Sequence, residues 1–265
     1  MGRLIVTPLV VLALLTTPAI ADDNSITIHT GVSGASKGYP ATYSAGAFVD
    51  WYDGAFGFHG DFDVIRRHDE GGYGAVGLSY ALTDEINPNV TVGTSTKGNG
   101  LLPEFLLAGS VKITPADGWI VTPGITYRVY DSGDTPETRH RAAYEEAVLG
   151  FVHYFTVPFD HSGYWAFQSD NSVSFNGKTA DPWSARLGLQ TVRDSGWRFG
   201  AGVQSGFMAW DPQTGARDVQ SRVWSAGGNI GFQFDKGPEI SLILNHAHNS
   251  FYDTNSATVT LRFTL

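Results

Sequence analysis

The chain has 265 residues, and its 17 basic and 26 acidic side chains give a formal net charge of −9, which argues against a nucleic-acid partner. It contains no cysteine, so a small disulfide scaffold is excluded and the fold must close by packing and hydrogen bonding alone. With 32 glycines, 13% aromatic residues and only 16% charged ones, the composition leans toward short strands and turns rather than helices.

In chain order, residues 1–21 come first. Arg3 forms a short basic region, Leu9 to Leu15 an apolar core, and Ala19, Ile20 and Ala21 a small-x-small site, the pattern of a secretory signal peptide cleaved after Ala21. The apolar run is too short to span a bilayer, and polar Asp22, Asp23, Asn24 and Ser25 follow it. Residues 22–265 show no linker or low-complexity tract and are expected to form one domain.

Along that domain, alternating or β-rich segments recur with turn chemistry between them and almost no helical periodicity. They fall at 25–34, 41–52, 54–65, 72–82, 89–96, 104–114, 119–130, 142–155, 164–175, 183–192, 196–210, 219–234, 239–248 and 257–265. This predicts about fourteen strands, or about twelve if weak neighbours merge. The connections take turns in kind. "YDG", "TDEI", "PADG", "DHSG", "RDSG" and "DKGPE" are short and suit tight turns. Between them lie the longer, more polar "SGASKGYP", "RRHDEGG", "KGNGLLP", "DSGDTPETRHR", "NGKTADP", "DPQTGARD" and "HNSFYDTNS". Short turns at one end and longer loops at the other predict an all-β, transmembrane, antiparallel up-and-down barrel of the outer-membrane type. An even strand number puts both termini on the periplasmic side.

The faces of the strands agree with lipid outside and water inside. Trp197, Phe199, Ala201 and Val203 oppose Arg198, Gly200, Gly202 and Gln204; Trp183, Ala185, Leu187 and Leu189 oppose Ser184, Arg186, Gly188 and Gln190. A soluble sandwich would carry more lysine and glutamate on its second face. Trp51, Trp119, Trp183, Trp197 and Trp210, with Tyr52, Tyr130, Phe155 and Trp165, lie beside turns and are expected to form interfacial girdles. In the last segment Ala257, Val259, Leu261, Phe263 and Leu265 share one parity. Leu261, Phe263 and Leu265 thereby resemble the terminal signal read by barrel-insertion machinery, with leucine where an aromatic residue most often ends it.

Three constellations invite a chemical reading. Arg128, Arg186, Arg198 and Arg262 point away from the apolar faces of four strands and either line a basic lumen for an anionic solute or pair with interior acids such as Glu146 or Asp50. His246 and His248 share a face, the spacing that offers two imidazoles to one metal, yet no third ligand is evident and no metal is expected. Ser250 beside them suits an interfacial hydrolase acting on lipid or lipid A, provided a hydroxyl meets an oriented imidazole. Glu145 and Glu146 point to opposite faces and cannot act as a pair on one substrate. No phosphate-binding glycine loop precedes a helix, and no cofactor is expected.

Residues 115–155 resemble the YaiO-like family of outer-membrane β-barrels. The matching positions are Trp119, Gly124, Tyr127, Arg128 and Tyr130 in one segment and Gly150, His153, Tyr154 and Phe155 in the next. The resemblance implies residence in the outer membrane of a Gram-negative bacterium and an association with envelope or exopolysaccharide systems, and it transfers no catalytic residues. The expected partners are outer-membrane lipid, the insertion machinery and a hydrophilic solute or polysaccharide. The expected function is a passive pore or envelope-associated barrel; a rim hydrolase built on Ser250 and a plugged structural or adhesion barrel are the alternatives.

Overall fold

Backbone pairing runs unbroken around the molecule. A computed structural model describes the chain outside residues 1–23, 37–40, 67–69, 97–102, 133–139, 158–159, 176–182, 211–216, 236 and 251. The expected signal peptide therefore lies outside the described residues. The strands are β1 (Ser25–Ala35), β2 (Thr42–Asp53), β3 (Phe56–Arg66), β4 (Glu70–Tyr80), β5 (Ile86–Ser95), β6 (Phe105–Ala116) and β7 (Trp119–Ser132). They continue as β8 (His140–Val157), β9 (Asp160–Ser174), β10 (Trp183–Arg193), β11 (Trp197–Trp210), β12 (Arg217–Gln233), β13 (Glu239–Asn249) and β14 (Asp253–Thr264). Each pairs antiparallel with its sequence neighbours, and β14 returns to β1, so the sheet closes as a barrel of fourteen strands. The strand number and topology are those the alternation predicts.

Burial is inverted relative to a water-soluble protein. Among the described residues 17 polar or charged side chains are buried against 7 apolar ones, while large apolar side chains such as Ile125, Leu78 and Val203 stand exposed. An apolar exterior over a polar interior is what a bilayer selects. The chain is a transmembrane barrel of the outer-membrane type. Trp51, Trp119 and Trp197 point outward at the short-turn end, and Trp183 and Trp224 at the opposite end, as two girdles. The side chains of Trp210 and Tyr130 lie outside the described residues. Tyr52 departs from the expected girdle: it is one residue out of phase with Trp51, faces inward, and sets its ring edge-on to His59 at 5.5 Å between centroids.

Turn chemistry holds at most of the short connections. Gly54, Gly118 and Gly196 adopt φ of 60°, 77° and 87°, where an L side chain would be strained, and they close the β2–β3, β6–β7 and β10–β11 turns. The segment "DHSG" is a correction, since Asp160 to Gly163 lie within β9. Gly163 is needed there because the Val192 carbonyl and the Arg193 Cα crowd the place a Cβ would take. The segment "HNSFYDTNS" is a second correction. β13 runs to Asn249 and β14 starts at Asp253, with Asn249 N–H donating to the Tyr252 carbonyl at 3.1 Å and Tyr252 N–H to Asn249 Oδ1 at 2.9 Å. An expected long loop is thus a tight hairpin.

Inward glycines let polar side chains lie flat across the wall. Over Gly46 on β2, the His29 ring from β1 reaches Asp63 on β3, and a Cβ at Gly46 would meet Asp63 Oδ1 and come within 2.7 Å of His29 Cε1. Replacing Gly46 by valine should separate His29 from Asp63 and lower stability by about 1–3 kcal/mol through overpacking. Gly34→Ala, where nothing lies within 4 Å, should change it by less than about 0.5 kcal/mol. Urea unfolding of the refolded barrel in detergent measures both, and equal effects would contradict the packing account.

Candidate functional site

Alternation along each strand decides which side chains meet inside the barrel. On β7 and β8 the inward parity brings Arg128 to Glu146, with Nη1 donating to Oε2 at 2.8 Å. Glu145, one residue earlier, points outward and is exposed. On β9 and β10, Arg186 faces Asp170 across the ladder and interacts with it electrostatically; Arg186 is 5% exposed, and Gln168 Nε2 donates to Asp170 Oδ2 at 3.0 Å. On β11 and β13, Arg198 Nη1 sits 3.3 Å from Glu239 Oε2, and Arg262 of β14 is the ladder partner of that same glutamate. The four arginines do face the interior, and the carboxylates set against them are Glu146, Asp170 and Glu239.

Asp50 does not join an arginine, contrary to expectation. It accepts from His59 Nδ1 at 2.7 Å, because the register of β2 on β3 sets His59, and none of the four inward arginines, opposite it. His59 Nε2 lies 3.4 Å from Ser79 Oγ on β4. On the same wall, His29 Nε2 donates to Asp63 Oδ1 at 2.7 Å, and the His29 ring stacks on Phe48 at 4.8 Å. Asp61 points inward between these two pairs. No motif marks this cluster in the sequence, since its members come from β1, β2 and β3 and meet only through register.

From β9 to β13 the described inward wall is otherwise neutral. Gln168, Gln190, Gln204, Asn229 and Asn245 project inward from five consecutive strands, β9 to β13, among the inward glycines Gly188, Gly200, Gly202, Gly227 and Gly231. A small cavity of about 10 Å³, the room one water needs, lies beside Gln168, Gln190 and Asn229. Amides over glycine make a wall of paired donors and acceptors with little bulk.

The outer rim near the β13–β14 hairpin carries the second set. His246 and His248 face outward on either side of Trp224, at 5.4 and 5.7 Å between ring centroids. His246 Nδ1 donates to Asn255 Oδ1 at 2.9 Å and His248 Nδ1 to Asp253 Oδ1 at 2.6 Å. Ser250 follows two residues beyond His248 and is exposed. Leu261, Phe263 and Leu265 share the outward parity of the last strand, Phe263 and Leu265 both being exposed.

The stretch that resembles the YaiO-like family mostly serves the hairpin and the bilayer interface. Trp119 stacks on His153 at 3.9 Å, and His153 Nδ1 donates to the Gly118 carbonyl at 3.2 Å. A Cβ on Gly124 would come within 2.7 Å of the Gly109 carbonyl. Among the described matching positions, Arg128 contributes an ion pair to the lumen.

Arg198→Gln should leave Glu239, which is 5% exposed, with one cation fewer and cost about 1.5–3 kcal/mol. In a double-mutant cycle with Glu239→Gln the two effects should fall short of additivity. Strict additivity would show that the pair is not coupled.

No protein-family model matches the sequence, and no curated protein is significantly similar to it. Solved structures share its fold. The outer membrane protein Omp33 of Acinetobacter baumannii aligns over 92% of this chain and 99% of its own, with TM-score 0.55 and 9% identity. The monoaromatic hydrocarbon channel CymD aligns over 99% of this chain and 94% of its own, again with TM-score 0.55 and 9% identity. At such identity the likeness is one of architecture, and it is to outer-membrane barrels.

Proposed function

We propose that the protein is a passive pore in the outer membrane of a Gram-negative bacterium, passing small hydrophilic solutes down their gradient. The observation that carries this is the lumen wall, where amides, hydroxyls and the His29–Asp63 pair lie flat over glycines instead of interlocking as bulky apolar packing. CymD is named for monoaromatic hydrocarbons, whereas the amide row on β9 to β13 offers donors and acceptors to hydroxyl-rich molecules, glycans among them. An association with an exopolysaccharide system fits that wall, with the YaiO-like stretch as its sequence support. Refolded protein should give steady current in a planar bilayer and swell liposomes in isosmotic arabinose. A folded barrel that does neither is a plugged scaffold, and the pore reading fails.

A second reading has one observation in its favour. His248 is held by Asp253 at 2.6 Å on the outward rim, with Ser250 two residues on. A carboxylate that fixes one ring nitrogen prepares the other to take a proton from a nucleophile. In this reading the rim hydrolyses an acyl ester of an outer-leaflet lipid. Fatty-acid release from phospholipid or lipopolysaccharide vesicles that Ser250→Ala abolishes would establish it; identical traces for wild type and variant would remove it, and the current should be the same in both.

A further inference from the structure

We infer that the inward wall formed by β1, β2 and β3 sets the pore's ion preference, and that it selects cations, with Asp61 and Asp63 as the specificity-determining residues. The inference rests on the pore reading above. Its first ground is the distribution of counter-charges. Arg128, Arg186 and Arg198 each have a carboxylate set against them in Glu146, Asp170 and Glu239. Among the described residues, the cationic groups set against Asp50, Asp61 and Asp63 are imidazoles: His59 on Asp50 and His29 on Asp63, with Asp61 in electrostatic reach of Asp63 and His29. That wall therefore carries three acidic side chains and, among the described inward residues, no arginine or lysine.

The neighbouring strands do not cancel it. The inward side chains of β4 are Gly71, Tyr73, Ala75, Gly77 and Ser79, none of them charged. On the other side, β14 brings one inward cation, Arg262, whose ladder partners are Thr27 and Glu239. Lys112, inward on β6, is three strands from β3. In a ring of fourteen, β3 and β10 are diametrically opposed, so Asp61 and Asp63 look across the lumen toward the wall that carries Arg186.

The second ground is what the cluster leaves unused. His29 is 6% exposed, and its Nδ1, on the far side of the ring from Asp63, is buried with no hydrogen-bond partner among the described residues. Asp61 Oδ1 is likewise buried and receives no donor. Neither atom is matched by an arginine or lysine of the described residues, so this acidic wall attracts positive charge, and the solute class is small cations, ammonium groups included. Gly46 is what lets the His29 ring lie across β2 into this cluster.

The experiment is a reversal-potential measurement on the refolded full chain in a planar bilayer under a KCl gradient, repeated with NH4Cl. Wild type should prefer cation over chloride by about threefold or more, and Asp61→Asn with Asp63→Asn should bring the ratio toward one. Arg186→Gln, which removes a cation from the opposite wall, should shift the potential the other way. Should the double variant fail to fold, judged by heat-modifiable migration, the sign of the wild-type potential and the Arg186→Gln shift still decide. A conducting wild type with no preference, or one for chloride, overturns this inference and leaves the pore standing. Silence from a folded barrel overturns the pore and this inference with it.

Discussion

Everything in this molecule depends on the seam between β1 and β14. In hydrocarbon an unpaired N–H or C=O costs several kcal/mol, so a sheet can cross a bilayer only if it has no edge. Here the ladder runs from Ser25 opposite Thr264 to Ala35 opposite Thr254 without a register shift. It is prolonged at both ends, by Leu265 N–H to the Asn24 carbonyl and by Ser36 N–H to the Asp253 carbonyl, each at 2.8 Å. A slip of one residue would turn Thr258 and Thr260 to lipid and Val259 to the lumen. The regular alternation of the last strand is therefore a requirement of closure.

Closure brings a second problem, how to cover the inner wall without filling it. Fourteen strands enclose more space than side chains fill with ease. The solution repeated here sets glycine on one strand beneath a polar side chain from the next: Asn229 over Gly200, Ser241 over Gly231, Ser79 over Gly57, Tyr73 over Gly93. Each glycine forgoes β-propensity and in return allows a neighbour to lie along the wall. The ion pairs run along the wall in the same way, joining adjacent strands or, for His29–Asp63 and Arg198–Glu239, spanning one intervening strand. Polar groups satisfied along the wall need not reach across the lumen.

Strand positions and their facing were legible in the sequence because period two is a local signal and a bilayer enforces it on nearly every strand. What meets what was not. Asp50 was expected beside an arginine and found His59, because its partner depends on β3 lying next to β2 at a particular register. Tyr52 reads as a girdle residue from its place beside a turn, and parity sends it inward. "DHSG" has the composition of a turn, but its glycine answers to the close approach of β10. In each case composition described the residue and a neighbouring strand decided its use.

The histidines carry this furthest. His153 lies outward, its ring stacked on Trp119 and its Nδ1 on a backbone carbonyl, and serves the interface. His248 lies outward at the other end, held by Asp253. His29 and His59 lie inward, each on an aspartate. The pairing of imidazole with carboxylate is the same at His29, His59 and His248, yet its surroundings differ, because two of the pairs face the lumen and the third faces the rim. Donor and acceptor chemistry alone would class these three as equivalent. In a closed barrel the parity of the strand assigns the partner, so the inner pairs face the lumen and the outer pair faces the bilayer rim.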